Sequence, residues 1–435
     1  MRFVMFSPGL TASAIGRMAC MITHALRQQG HRVQVVRTEA ASLRDQPTHD
    51  FGDGVVFWHD TGGVSDAIRA ADLAIYQIGN HYGFHEGALE WLRSAPGVVC
   101  LHDFFLGNLF HSWAERRRPE AEALLRTWYG EEAVRGYFNH HFTEATITAI
   151  HDSAPMTEWV ASQALGVVTH SSWGIARVVR ACGGPVRVVP LAYTPPPGWP
   201  PTGERTDSRF QVLTVGHVNS NKRAESVIRA IAHSETLRST TTFRLLGAII
   251  PEVRDRLERL ARDCGVRLVI SGEVSNDELS VALRDADVVC CLRWPNLEAA
   301  SASTIEAMQC GKAVVVTDTG FYAELPRDGV VRIHPDREVA ELRTQLERLH
   351  AAPTERAALG ERAARWARAT FSPDNYARQL SEIALDCLRA APVIDMVQDA
   401  ARQLKLWGGQ HFLQLPEILQ PLRALEGKRP PTSNK

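Results

Sequence analysis

The chain has 435 residues, 45% of them hydrophobic and 22% charged. That balance excludes a wholly disordered polypeptide, and the length suits two to three domains that each bury a core. Lys and Arg number 48 against 49 Asp and Glu, a net charge of −1, which excludes a nucleic-acid binder that works through bulk positive field.

In chain order, short β-branched runs alternate with helix-length segments. Strands are predicted at 2–6, 32–36, 55–58, 73–77, 98–101, 167–169 and 186–189, and again at 211–215, 243–246, 267–270, 288–292, 313–316 and 330–333. Runs apolar on both faces and separated by helices predict parallel strands covered on both sides. The pattern occurs twice, so the expected class is α/β, with two doubly wound domains facing across a cleft. The first domain is placed at 1–194, with a mostly helical, aromatic-rich insertion at 107–165. Residues 195–201 hold Pro195, Pro196, Pro197, Pro200 and Pro201, which suit neither helix nor central strand and read as a linker. The second domain spans 202–371. Residues 372–435 read as helices that return toward the first domain, with a short segment at 413–425 and a polar tail at 428–435 whose composition fits disorder.

The eight cysteines form no C-x-x-C pair, so neither a zinc ribbon nor a redox motif is indicated, and most read as small hydrophobes of a reduced core. No signal-peptide pattern and no run of about 18 apolar residues occurs, so a cytoplasmic protein is expected, with peripheral contact at the inner face of the membrane left open. The basic run 116–118 is flanked by Glu115, Glu120 and Glu122 and reads as a solvated helix face. Only five cations are lysines, Lys222, Lys312, Lys405, Lys428 and Lys435, and the first 221 residues have none.

Four segments carry candidate chemistry at predicted strand ends, where open parallel sheets bind ligands. The strongest runs Pro295-Asn-Leu-Glu298-Ala299-Ala300-Ser301-Ala-Ser303-Thr-Ile-Glu306, closing at Gly311. Ser301 or Ser303 can cap a helix there, and its small residues let N-terminal N–H groups approach an anion. If both carboxylates were helical, Glu298 and Glu306 would lie roughly 12 Å apart along the axis, about the span of a nucleotide diphosphate-sugar. The second segment, Gly216-His217-Val-Asn-Ser-Asn-Lys222-Arg223, puts a glycine and adjacent cations at a strand-to-helix turn, which suits a phosphate but is not a P-loop. The third is the small-residue turn from Gly9 to Gly16, which lacks the nicotinamide fingerprint. In the fourth, His102 and Asp103 can donate to and accept from sugar hydroxyls or move a proton near neutrality.

Together these segments resemble the family 4 retaining glycosyltransferases of bacterial type, which have the GT-B fold of two Rossmann-like domains. Glu298 and Glu306 match the family's Glu-(seven residues)-Glu motif, and Gly216 to Lys222 matches its phosphate loop. Gly272, Glu273 and Val274 resemble its base-contacting turn. His102-Asp103, Tyr76-Gln-Ile-Gly79-Asn80 and Thr169-His170-Ser171 resemble its first-domain segments. The resemblance implies that Glu306 accepts from the ribose hydroxyls and that Glu298 contacts the donor sugar, with the N–H groups after it near the phosphate. Lys222 would neutralise the diphosphate, and His102 would touch the reacting sugar or acceptor. The turn from Gly9 to Gly16 would close on diphosphate or acceptor, and Asn80 and His81 would line the acceptor side. One departure is His217, where the family commonly has Arg; Arg223 is then expected to supply the second cation. The implied reaction moves a sugar from a UDP-, GDP- or ADP-linked donor to a glycan or lipid-linked acceptor, in polysaccharide, glycolipid or glycoconjugate synthesis, with retention and without a metal or other cofactor. The alternatives are another GT-B enzyme, such as an inverting transferase or epimerase, and a non-catalytic sugar-nucleotide binder. A nicotinamide dehydrogenase is disfavoured by the missing fingerprint.

Overall fold

A computed structural model describes residues 1–139, 141–205 and 207–409. The segments expected at 413–425 and 428–435 lie outside them. Two all-parallel sheets organise the chain. The first contains β1 (Arg2–Ser7), β2 (Arg32–Arg37), β3 (Val55–Phe57), β4 (Leu73–Ile78), β5 (Val98–Leu101), β6 (Gly166–Thr169) and β7 (Val186–Val188), in the order β3-β2-β1-β4-β5-β6-β7. The second contains β8 (Phe210–Val215), β9 (Thr241–Leu246), β10 (Leu268–Gly272), β11 (Val288–Cys291), β12 (Ala313–Thr317) and β13 (Val331–Ile333), in the order β10-β9-β8-β11-β12-β13. All thirteen strands fall within two residues of the runs read from sequence. The central ones, such as Val98–Leu101 and Val288–Cys291, are buried along their whole length, as strands covered on both faces must be.

Each sheet reverses strand order beside its first strand, at β1/β4 and at β8/β11. In such sheets the crevice beyond the carboxyl ends at the reversal is where ligands bind. The turns after β1, β4 and β5 in one sheet, and after β8 and β11 in the other, therefore form the two walls of the candidate site.

Between β5 and β6 the chain runs through the helices Gly107–Ala114, Arg118–Tyr129, Glu131–Phe138, Glu144–Ile150 and Thr157–Ala161. Their aromatic residues extend the core on one face of the first sheet, continuous with Phe6, Tyr76 and Val99: Phe110 meets Tyr137 and Trp159 edge-on at 5.3 Å, and Trp113 lies 4.8 Å from Trp159. The long helix Pro373–Leu406 packs on helix Ala14–Gln28 and on β6. Tyr376, Leu380, Ile383, Ala384 and Cys387 are buried there. A single apolar core runs from Met5 and Met18 through Leu191–Tyr193 to Leu213, Val289 and Met308. Both sheets and the last helix thus share one buried surface, which fixes how the two walls face each other.

Candidate active site

The two walls touch through backbone. His102 and Asp103 follow β5, and Glu298 follows β11. Asp103 and Glu298 form an antiparallel bridge: Ala299 N–H donates to His102 C=O (3.0 Å), while Phe104 and Phe105 N–H donate to Leu297 C=O (2.9 and 3.0 Å). A second contact lies alongside, where Ser172 N–H, Ser172 Oγ and Trp173 N–H donate to the Glu324 carboxylate at 3.1, 2.8 and 2.9 Å. The Ala299 N–H, expected near a phosphate, is therefore committed to His102.

Glu298 is not helical. The helix is Ala302–Gln309, and only Glu306 lies in it, so the 12 Å axial spacing expected for two helical carboxylates does not apply. Glu298 is paired with Arg293 and accepts from the Tyr322 hydroxyl at 2.8 Å. Ser301 stands at the N-cap, yet its hydroxyl makes no cap bond and lies 3.3 Å from Ser303 Oγ. The helix N-terminus is thus left without a side-chain cap, a property that favours an anion. Ala300 is buried beside it. Gly311, at φ +72, follows the helix in the left-handed region, as expected of a glycine C′ position.

Lys222 is buried, and its Nζ donates to Val215 C=O at 2.7 Å. Gly216 (φ +96) makes this possible, because a Cβ there would stand 2.7 Å from Nζ. Burial first, and then the charge of Arg293, brings the Lys222 ammonium down to about 7, while Glu298 opposes the shift. The cation beside Lys222 is therefore Arg293. Arg223, expected in that role, gives its Nε to the buried Glu338 at 2.9 Å. His217 is exposed and lies near enough to His81 of the opposite wall to depress its basicity, after the larger effect of burial.

Asp103 accepts Asn80 N–H at 2.7 Å. Burial chiefly lifts its carboxyl to about 7, against that hydrogen bond and with the help of Glu298. His102 is held neutral: burial, then His170 and His85, keep it well below the ordinary imidazole range. Its Nε2 lies 2.8 Å from Gln77 Oε1. With the Gln77 amide oriented so that its oxygen faces the ring, the proton is assigned to Nε2 and the lone pair to Nδ1. The Asn80 side chain accepts Asn108 and Leu109 N–H (2.9 and 3.1 Å) at the start of helix Gly107–Ala114, so it organises the insertion.

The first turn departs from expectation. Gly9 and Leu10 N–H donate to Glu39 Oε1 at 2.5 and 3.0 Å, and Glu39 is fully buried. A carboxylate of the chain itself thus holds the N–H groups expected to meet a diphosphate. Gly16 lies inside helix Ala14–Gln28, its N–H bonded to Ser13 Oγ at 3.0 Å, and a Cβ there would press on Pro8 C=O at 2.9 Å; it serves close packing. Gly272 (φ +75), the last residue of β10, accepts Gly247 N–H at 2.7 Å; beyond it Glu273 is exposed and Val274 half-buried.

Beside Asn80 and His81 opens a cavity of about 380 Å³, bounded further by Trp113, Arg116 and Arg117. An adjoining one of about 670 Å³ shares Tyr82, Glu86 and the two arginines and reaches Trp58 and Trp91. Of the basic run read as a solvated helix face, Arg118 is exposed on a helix and paired with Glu122, whereas Arg116 and Arg117 line a concave surface across which Arg117 pairs with Glu90.

Sequence reading missed Arg17, Arg293, Tyr322 and Glu39, and it gave Gln77 no role of its own within the segment Tyr76–Asn80. Arg293 had a usable signal, standing two residues beyond β11 at its carboxyl end. Among the described residues, no group of three or more His, Cys, Asp or Glu is placed to hold a metal ion, and no helix is long and apolar enough to cross a membrane.

Residues 200–366 match the model of the family glycosyl transferases group 1. No curated protein matches the sequence. Among solved structures, sucrose-phosphate synthase from Thermosynechococcus elongatus is similar at 16% identity and a TM-score of 0.63, over 90% of this chain and 100% of that one. HepE of Anabaena, solved with UDP and glucose, is similar at 17% identity and 0.58, over 88% and 98%. WaaG, a glycosyltransferase involved in lipopolysaccharide biosynthesis, is similar at 16% and 0.54, over 86% and 98%. The chain thus has the GT-B fold of two facing Rossmann-like domains, and its residues 200–366 match the glycosyl transferases group 1 family.

Proposed function

We propose that the chain is a retaining glycosyltransferase of family 4, bacterial in type, that moves a sugar from a nucleotide diphosphate-sugar to an acceptor hydroxyl in glycan, glycolipid or glycoconjugate synthesis. The observation that carries this reading is the bridge that sets Asp103 beside Glu298, with that carboxylate paired to Arg293 and with Lys222 buried at the end of β8.

In this reading the departing diphosphate is met by Lys222, Arg293 and the uncapped start of helix Ala302–Gln309. Fixed cations and N–H dipoles aimed at developing charge are the largest single source of catalysis in such transfers. The donor sugar lies against Glu298 and His102, and His102 Nδ1, with its free lone pair, accepts a sugar hydroxyl. The nucleoside lies along the second domain, with its ribose at Glu306 and its base at the turn of Gly272, Glu273 and Val274. The acceptor enters through the cavity beside His81. The diphosphate is neutralised by side chains, so no metal is required. The protein works at the inner face of the membrane or in the cytoplasm. A screen of UDP-, GDP- and ADP-sugars against glycan and lipid-linked acceptors, read by product mass, tests the reading. Tight nucleotide binding with no turnover on any acceptor would favour a non-catalytic sugar-nucleotide binder instead.

A further inference from the structure

Glu306 is almost fully buried, yet among the described residues its carboxylate has one partner. Arg17, on helix Ala14–Gln28 of the first domain, donates from Nη1 to Oε1 at 2.7 Å. No hydrogen bond to Oε2 is made among the described residues. Burial raises the Glu306 carboxyl, and Arg17 works against that rise. Glu338, held by Arg223 through one oxygen in the same way, has its other oxygen fully buried and unpartnered, whereas Glu306 Oε2 keeps access to solvent and so to a ligand hydroxyl.

Arg17 is itself held on every side. Nη1 also reaches the Tyr193 hydroxyl (3.3 Å), and Nη2 donates to Thr194 C=O (3.3 Å) and Pro195 C=O (3.2 Å). Its guanidinium lies 4.7 Å from the Tyr193 ring centroid. One turn along the same helix as Glu306, Gln309 donates to Tyr193 C=O at 2.9 Å. One cation therefore ties together the first domain, the strand of chain that leads into the second domain, and the carboxylate on the second domain's central helix. A planar fork with five donors makes this three-way contact, and a lysine cannot.

We propose that Arg17 is a positioning residue of the nucleotide site. By occupying Oε1 it aims Oε2 at the ribose hydroxyls, and it makes ribose recognition depend on the contact between the two domains. The proposal rests on the glycosyltransferase reading above. It adds that the residue controlling nucleotide recognition stands in the opposite domain.

The test compares a ribonucleoside diphosphate with its 2′,3′-dideoxy analogue by calorimetry, using whichever of UDP, GDP and ADP binds the wild type. A hydrogen bond to a charged group corresponds to a preference of roughly 10- to 100-fold for the ribonucleotide. Arg17→Ala is expected to shrink that preference to within about threefold while affinity for the dideoxy analogue changes little. Arg17→Lys, which keeps the charge but not the fork, is expected to retain part of it, and it carries the test if the alanine variant fails to fold. A folded variant whose ribose preference equals the wild type's, whatever its melting temperature, overturns the proposal and leaves Arg17 a structural pin. A wild type that binds none of the three nucleotides overturns the glycosyltransferase reading itself, and this proposal falls with it.

Discussion

If Lys222 meets the departing diphosphate, nucleotide binding takes up a proton near neutral pH. In the unliganded protein the buried Nζ is lowered from 10.5 to about 7, so at pH 8.5 nearly all of it is neutral. A bound diphosphate favours the ammonium. Restoring the ordinary value over that gap corresponds to about 5 kcal/mol at 1.36 kcal/mol per pH unit, an upper bound on the coupling between proton and ligand. Apparent affinity for a nucleoside diphosphate should then fall roughly 25-fold from pH 7.5 to 9, a range above the terminal phosphate's own titration. Calorimetry in two buffers of different ionisation enthalpy should register uptake of about one proton per ligand at pH 8.5. Lys222→Met should bind more weakly at pH 7.5 and lose the pH dependence. The unliganded protein supplies the matching sign. A lysine lowered in the folded state means that the unfolded chain binds more protons between about pH 7 and 10.5, so this group makes stability rise with pH across that window. Tight binding with no proton uptake and no dependence on pH would show that Lys222 does not face the diphosphate.

Other outcomes follow from the same geometry. Asp103, lifted to about 7, contributes stability that is complete below its unfolded value of 3.8 and is lost as pH rises through 7. Asp103→Asn should therefore melt above the wild type at pH 8, with the gain vanishing near pH 4; an equal melting temperature at both pH values contradicts the burial argument. Glu39→Ala strands the Gly9 and Leu10 N–H groups and should cost about 2–4 kcal/mol in urea unfolding. Nucleotide affinity should not change, and a variant that instead gains diphosphate affinity would return the first turn to the donor site. Transfer activity should survive EDTA, and loss restored by one specific metal would refute a metal-free mechanism.

The fold was legible because parallel strands covered on both faces leave apolar runs: β4, β5, β6, β11 and β12 are buried along their whole length, and the partly exposed β3, β7 and β10 still kept a readable run. The strand-end rule also picked out His102, Asp103, Lys222 and Glu298 as candidates, since a position beyond the carboxyl end of a parallel strand can be read without long-range knowledge. What stayed hidden depends on partners far away in sequence. Arg17 and Glu306 are 289 residues apart, and a lone arginine on an amphipathic helix has no local signature. Glu39 looks like any polar residue after a strand until the first turn folds onto it. The ambiguity between His217 and Arg223 as second cation arose because sequence places both beside Lys222, whereas the left-handed backbone at Arg223 (φ +58) and the buried Glu338 draw its side chain away.

The scarcity of lysine also acquires a physical content. Every ion pair among the described residues is made by Arg or His. Lys222 and Lys312 instead give their ammonium groups to backbone carbonyls, Val215 in one case and Arg284 and Ala286 in the other. Both are lowered by burial. At these two positions lysine stands where a compact point cation fits and a planar fork does not. That explains Lys312 without chemistry, so the case for Lys222 rests on its neighbours Arg293 and Glu298 rather than on rarity.

The measurement that bears most directly on the central claim is anomeric analysis by NMR of the first product formed from an α-linked nucleotide-sugar. Retention predicts an α-linked product from the earliest time points, with activity lost in Glu298→Gln and Lys222→Met. A β-linked product, or wild-type rates in either folded variant, would contradict the account.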